Sequence, residues 1–271
     1  AYVQKNGHEV YFLDAPAKPL NEDETLALLT DKADDHTLFV LDTSTPSIKS
    51  DVNFAEHIKQ IYPHAYLVLV GTHPSACAEE TLGYSKAVDA VAIGEYDETI
   101  KELANAIENR RELMQVRGLC LRREETFIRT GIMPSIKNLD DIPFASAFIK
   151  DNLNERDYFF AAATYPSIQI FTGRGCPFHC NFCVYPQTMH GHIFRARSAE
   201  NVVDEFEYIA ENFPDVKEVV IEDDTFTVNK KRVLEICNLL VSKGINKRLK
   251  WLCNARVNLD YETMCAMKKA G

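Results

Sequence analysis

Twice along its length the sequence alternates short apolar runs with amphipathic stretches, and this rhythm constrains the fold more than any other feature. Residues 9–15 (EVYFLDA), 37–44 (TLFVLDTS), 65–72 (AYLVLVGT) and 88–95 (VDAVAIGE) are apolar and end in small or polar residues. Helical stretches lie between them (NEDETLALLTDKA, SDVNFAEHIKQIY, PSACAEETLGYSK), and DETIKELANAIEN follows the last. Near-continuous apolar strands separated by helices predict an α/β fold with a doubly wound parallel sheet. Such sheets bind ligands beyond the carboxyl ends of their strands. Here those ends read Asp14-Ala15-Pro16, Asp42-Thr43-Ser44-Thr45-Pro46, Gly71-Thr72-His73-Pro74 and Gly94-Glu95.

After a first domain over 1–112, residues 113–167 break the rhythm. LMQVRGLCLRREETFIRTG reads as a β-hairpin, and the proline-containing IMPSIKNLDDIPFASAF as an extended linker. Residues 168–271 resume the alternation with SIQIFTG, a helix over 199–213, KEVVIEDD, a helix over 230–244, LKWLCNA, and a helix from Asp260. Val202, Val203, Phe206, Ile209, Ala210 and Phe213 share one helical face, and Val233, Ile236, Cys237, Leu240 and Val241 another. Three β/α units in a row suggest part of a barrel whose active groups sit on the loops after the strands. Both halves read as truncated: the first sheet lacks its opening strand and the second ends on the helix stop KKAG.

Composition excludes several classes. Net charge is −10 with no Lys/Arg-rich block, so nucleic acid has no electrostatic footprint. No apolar run is long enough to span a bilayer, and the N-terminus carries no export pattern. Eight cysteines in such a chain read as thiols or metal ligands of a reducing, cytoplasmic compartment. Cys237 and Cys265 fall on apolar helix faces and Cys253 in a strand, where they and Trp251 are expected to be core.

Three cysteines stand apart. GRGCPFHCNFC places Cys176, Cys180 and Cys183 on one loop after the first strand of the second half, with no fourth nearby. Buried thiols would not need this spacing. Structural zinc would take His179, His190 or His192 as its fourth ligand. An iron–sulfur cluster would keep one iron open, unlike the four-cysteine ferredoxin pattern.

CxxxCxxC at this position, with Phe182 before the last cysteine, resembles the radical S-adenosylmethionine superfamily. The resemblance implies a [4Fe–4S] cluster on Cys176, Cys180 and Cys183. The amino and carboxylate groups of S-adenosylmethionine would chelate the fourth iron. Electron transfer then yields methionine and a 5′-deoxyadenosyl radical that removes a substrate hydrogen. Phe182 and the carboxylates Glu222, Asp223 and Asp224, which close the second strand, would bind the cosubstrate; otherwise the acidic trio serves a helix N-terminus. Arg256 would pair with the methionyl carboxylate, or form a surface ion pair.

The preceding sheet resembles the cobalamin-binding domain that lies N-terminal to many such barrels, through LDTSTPS (41–47), VGTHPSACAEET (70–81) and VAIGEYDET (91–99). Ser44, Thr45, Gly71, Thr72 and Glu95 are then expected to line the corrin or its nucleotide tail. Gly71→Val should block the ligand's approach without unfolding the sheet. The Asp-x-His-x-x-Gly signature that supplies a cobalt ligand elsewhere is absent. The PQT, GH and RARS elements of residues 186–198, together with TSTPS, resemble the hopanoid-biosynthesis-associated branch, which implies a small or lipid-linked head-group substrate. An electron donor such as flavodoxin or ferredoxin is expected. The rival readings are a non-enzymatic cobalamin- or zinc-binding module, and a methylthiotransferase. The latter places extra cluster cysteines in its first domain, where this chain offers only Cys77 and Cys120.

Overall fold

The computed structural model describes residues 1–271 and divides into two compact units. One joins Tyr2–Ile136 to His179–Gly191; the other joins Lys137–Phe178 to His192–Gly271.

The first unit runs α1 (Tyr2–Lys5), α2 (Glu22–Leu29), β1 (Leu38–Asp42), α3 (Ile48–Ile61), β2 (Tyr66–Val70), α4 (Thr72–Ala76), α5 (Ala78–Tyr84), β3 (Ala90–Ala92), α6 (Asp97–Glu108), β4 (Leu119–Arg123) and β5 (Thr126–Arg129). The strands form one sheet in the order β1-β2-β3-β4-β5, with β1 to β3 parallel and the β4–β5 hairpin added antiparallel. Period-two alternation sorts the side chains. Leu67, Leu69 and Val91 face Ile48, Val52, Ala55 and Ile58 of α3 and Leu82 of α5. Val68, Val70, Ala90 and Ala92 face Ile100, Leu103 and Ala106 of α6 on the other side. Helices on both faces explain why these strands are apolar throughout. Asn21 and Glu24 form a reciprocal capping box that starts α2.

The expected strand over 9–15 does not form. β1 is the sheet edge, and Tyr11 and Phe12 remain 46% and 43% exposed. Turn chemistry wins there: Asp14 Oδ1 accepts from the Ala17 amide, and Lys18 and Leu20 amides return to the Ala15 carbonyl.

The second unit contains α7 (Ala145–Asn152), β6 (Ser167–Ile170) and β7 (Gly173–Arg174). After α8 (Tyr185–Thr188), which belongs to the first unit, come β8 (Arg195–Ala196), α9 (Ala199–Asn212), β9 (Glu218–Ile221), α10 (Lys230–Ser242), β10 (Lys250–Cys253) and α11 (Tyr261–Lys269). β10, β9 and β6 form a parallel sheet in that order, with Ile168 and Trp251 flanking Val219. Val202, Phe206, Ile209, Val233, Ile236 and Leu240 pack on it, as the helical periodicity predicts. Trp251 is core: its ring meets Phe226 edge-on at 5.5 Å, and its indole donates to the Ala270 carbonyl at 3.1 Å.

Two expectations need correction. Residues 145–152 of the supposed linker are helical, because Ser146 N and Oγ both donate to the buried Glu205 carboxylate at 3.0 and 2.9 Å and dock α7 on α9. That tertiary anchor overrides the extended reading of the flanking prolines. Cys265 is exposed on α11 and is not core.

Glu205 also binds the Arg197 guanidinium, and both side chains are buried. Glu205→Ala leaves that charge unpaired and should cost about 3 kcal/mol. Gly83, exposed within α5 with open space where a Cβ would stand, should gain roughly 0.5–1 kcal/mol on Gly83→Ala. Urea unfolding of the two variants checks both signs.

Candidate functional site

In the second unit the cysteine loop starts from a clamp at the end of β6. Asp223 Oδ1 accepts from the Thr172 and Gly173 amides at 2.6 and 2.9 Å, and Oδ2 from the Thr172 hydroxyl at 2.6 Å. Asp223 is 1% exposed. Desolvation raises its pKa, opposed by these hydrogen bonds and by the nearby charge of Arg232. Arg232 donates to the Thr172 and Arg197 carbonyls at 2.8 Å each and so ties α10 to the same turn. Gly173 has no room for a side chain: a Cβ would stand 3.0 Å from Phe194 and 3.2 Å from the Arg195 carbonyl. The short β7–β8 ladder (Gly173↔Ala196, Arg174↔Arg195) brackets the intervening excursion.

The candidate cosubstrate residues therefore divide. Asp223 is buried, takes three hydrogen bonds from Thr172 and Gly173 and braces the turn, which argues against its serving the cosubstrate directly. Asp224 Oδ2 accepts from the Gly175 amide at 2.9 Å, one residue before Cys176. Glu222 is half-buried, and no hydrogen bond or ion pair engages its carboxylate. Arg256 lays its guanidinium on the Phe178 ring, 3.8 Å from the centroid, and so braces the cysteine loop. Phe182 is 88% exposed.

Cys176 is buried, with its sulfur 3.5 Å from the Thr225 hydroxyl, and its carbonyl lies 3.2 Å from His192 Nδ1. Cys180 and Cys183 are half-buried on the segment that groups with the first unit, in a turn closed by the Cys183 amide on the Cys180 carbonyl at 3.0 Å. None of the three is in a disulfide, and no three His, Cys, Asp or Glu side chains converge as a preformed metal site.

In the first unit the carboxyl ends of β1, β2 and β3 carry a polar rim. Thr45 Oγ1 lies 3.1 Å from His73 Nδ1, and Ser44 turns onto Ser47, with 3.1 Å between their hydroxyls. Thr72 opens α4, and Glu95 follows Gly94 after β3. The Gly94 amide donates to Ser75 Oγ at 3.0 Å, and a Cβ on Gly94 would stand 3.6 Å from the Met189 carbonyl. The segment that carries Cys180 and Cys183 thus packs, through α8, beside α4 and the end of β3. Thr43 and His73 lie on the strand ends read from the sequence but were not among the expected ligand residues, and Asp51 and Ser75 were not singled out.

Gly71 overturns one expectation. It sits at φ +110°, and a Cβ there would stand 2.4 Å from the Thr43 carbonyl and 2.7 Å from Asp42 Oδ1. The glycine is needed for the approach of β1's loop to β2's loop, so a side chain would strain the sheet itself rather than only exclude a ligand.

Residues 1–104 match the B12 binding domain family, and residues 170–271 match the Radical SAM superfamily. The chain joins a B12 binding domain to a Radical SAM domain. It is 29% identical over 272 residues to an uncharacterized methyltransferase of Pyrococcus horikoshii, covering 100% of this chain and 57% of the relative. It is 27% identical over 276 residues to an anaerobic magnesium-protoporphyrin IX monomethyl ester cyclase of Cereibacter sphaeroides, covering 99% of this chain and 44% of the relative. The chain thus spans about half the length of these curated relatives. The fold matches the cobalamin-dependent S-adenosylmethionine radical enzyme OxsB, solved with aqua-cobalamin and S-adenosylmethionine, at a TM-score of 0.81 and 15% identity. That match covers 100% of this chain and 39% of the solved one.

The two domains imply a [4Fe–4S] cluster, S-adenosylmethionine and cobalamin. The residues fit them. Three cysteines, none in a disulfide, lie on the loop after the first Radical SAM strand, with the Glu222 carboxylate just after the second. At the strand ends of the B12 domain, buried Thr43 Oγ1 and His73 Nε2 have no protein partner.

Two outcomes follow from this geometry. Gly71→Val should destabilise the first unit by about 2 kcal/mol or more, read as a lower melting temperature without any corrinoid present. Burial pushes the Cys237 and Cys253 thiols up to about 11 and about 12, so at pH 8 both stay protonated. Iodoacetamide at that pH, followed by mass mapping, should label exposed Cys265 well before either.

Proposed function

We propose that the protein is a cobalamin-dependent radical S-adenosylmethionine enzyme acting on an unactivated carbon of a small or lipid-linked substrate. The observation that carries this reading is the three-thiol loop itself, launched from the end of β6 by the Asp223 clamp beside an unengaged Glu222. Cys176, Cys180 and Cys183 are the proposed cluster ligands, since metal binding and local folding are coupled at such loops. When bound, the cluster and S-adenosylmethionine supply one-electron cleavage of a sulfonium and hence hydrogen abstraction, while cobalamin supplies an alkyl carrier. In this reading Glu222 accepts hydrogen bonds from the cosubstrate ammonium, and Asp224 holds the backbone just before Cys176. Phe182 and Arg256 complete the proposed cosubstrate set, Arg256 through its hold on Phe178. Ser44, Thr45, Thr72 and Glu95 face the corrinoid in this reading, and the electron comes from a flavodoxin- or ferredoxin-type donor.

The relatives include both methyltransferases and ring-forming cyclases, so methyl transfer and ring formation are the two reaction types in view. The narrower assignment, remodelling of a hopanoid head group, rests on the PQT, GH and RARS elements of residues 186–198 and on TSTPS.

Anaerobic reconstitution should give about four irons per chain. Cys176→Ala, Cys180→Ala and Cys183→Ala should each abolish iron retention, and Cys237→Ala should not. Glu222→Ala should keep the iron yet lower 5′-deoxyadenosine formation by roughly 10²-fold, chiefly through weaker cosubstrate binding. Stoichiometric zinc without iron would sink the proposal.

A further inference from the structure

Three consecutive side chains after β9 grip successive positions of the segment that carries the first cysteine. Asp223 takes the Thr172 and Gly173 amides, Asp224 takes the Gly175 amide at 2.9 Å, and the Thr225 hydroxyl lies 3.5 Å from Cys176 Sγ. The first two contacts hold backbone. The third reaches a sulfur, and the proposed function gives it no role.

Helix capping does not explain where Thr225 points. It stands at the N-cap of the 3₁₀ turn Phe226–Val228, where a threonine oxygen commonly accepts from an amide of the turn, yet it makes no such bond. Its hydroxyl donates to the Asp224 carbonyl at 2.6 Å and faces Cys176. Asn254 fixes the backbone on either side. Its side-chain amide donates to the Asp223 carbonyl at 3.2 Å, and its carbonyl accepts from the Phe226 amide at 3.0 Å. Thr225 and Cys176 are both buried, at 7% and 9% exposure.

Ligation decides what the contact does. A free Cys176 thiol can donate its proton to Thr225 Oγ1 while the hydroxyl proton goes to the Asp224 carbonyl. A thiolate bound to iron has no proton to give, so its sulfur can only accept. A buried anionic sulfur without a donor is costly, and the Thr225 hydroxyl can rotate onto it. That bond strengthens as negative charge accumulates on the sulfur, so it favours the reduced cluster. Hydrogen bonds to the sulfurs are one of the levers that set a cluster's potential.

Resting on the cluster reading above, we propose that Thr225 is a positioning residue that acts through Cys176: its hydroxyl hydrogen-bonds the ligating sulfur and raises the reduction potential of the cluster.

The test reconstitutes the intact protein without oxygen, as wild type and as Thr225→Val, Thr225→Ser and Thr225→Ala. Iron is counted, and the reduced cluster is followed by electron paramagnetic resonance against applied potential with no S-adenosylmethionine added. Thr225→Val keeps the branched shape but removes the O–H. It should retain about four irons and disfavour reduction about tenfold, a shift of about 59 mV to more negative potential. Thr225→Ala, which cannot crowd the sulfur, should shift in the same direction, and Thr225→Ser should stay within about threefold of wild type. An unchanged or more positive potential in any hydroxyl-free variant that retains its iron overturns the proposal. So does loss of the cluster from both of them, or a Thr225→Ser shift as large as that of Thr225→Val. Failure of wild type to assemble an iron–sulfur cluster overturns the cluster reading itself, and this assignment with it.

Discussion

Asp223 accepts three hydrogen bonds from two consecutive residues, Thr172 and Gly173, and so decides the direction in which the chain leaves β6. Much of what surrounds the loop leans on that arrangement. Arg232 holds the Thr172 carbonyl from α10, the Arg197 amide reaches the same carbonyl from β8, and Arg197 is anchored in turn by Glu205. A carboxylate taken this far out of water is stable only when its lone pairs are filled. Replacing it would release the strand end, the β7–β8 ladder and the first residues of the cysteine loop together. Of the three carboxylates that the sequence offered together, Asp223 is the one the fold holds most tightly, and Glu222 beside it carries no such bonds.

Periodicity made most of the architecture legible. The runs over 37–44, 65–72 and 88–95 and the whole β/α alternation after residue 167 became strands and helices at the expected places. Where the reading failed, a non-local or turn-specific term outweighed pattern. EVYFLDA has the apolar content of a strand, but the turn begun at Asp14 ends it without a ladder. ASAFIKDN looked like linker because its helix depends on Glu205, 59 residues from Ser146. The cysteines were legible as a site because spacing is a local property. The buried state of Asp223, the stacking of Arg256 on Phe178 and the crowding at Gly71 were not, since each depends on which loops meet.

Gly71 shows how fold and ligand edge are linked in the first unit. With no Cβ, it lets the loops after β1 and β2 close to backbone contact, which keeps Asp42 beside it and holds Thr43 against water. The Thr43 hydroxyl and the His73 Nε2 have surrendered hydration without gaining a protein partner. A more permissive residue arrangement would have filled those atoms internally and left a stable but featureless rim.

The grouping of residues 179–191 with the first unit, through the packing of α8 beside α4, means that the chain's modules are not contiguous in sequence. Recombination between relatives treats such proteins as two beads on a string, with a crossover placed in the connector. A hybrid joined near residue 137 would take α4 from one parent and its packing partner α8 from the other. Functional chimeras of this architecture would need to carry the short segment after the cysteine loop along with the N-terminal parent, or to co-vary the α4 and α8 surfaces as a matched pair.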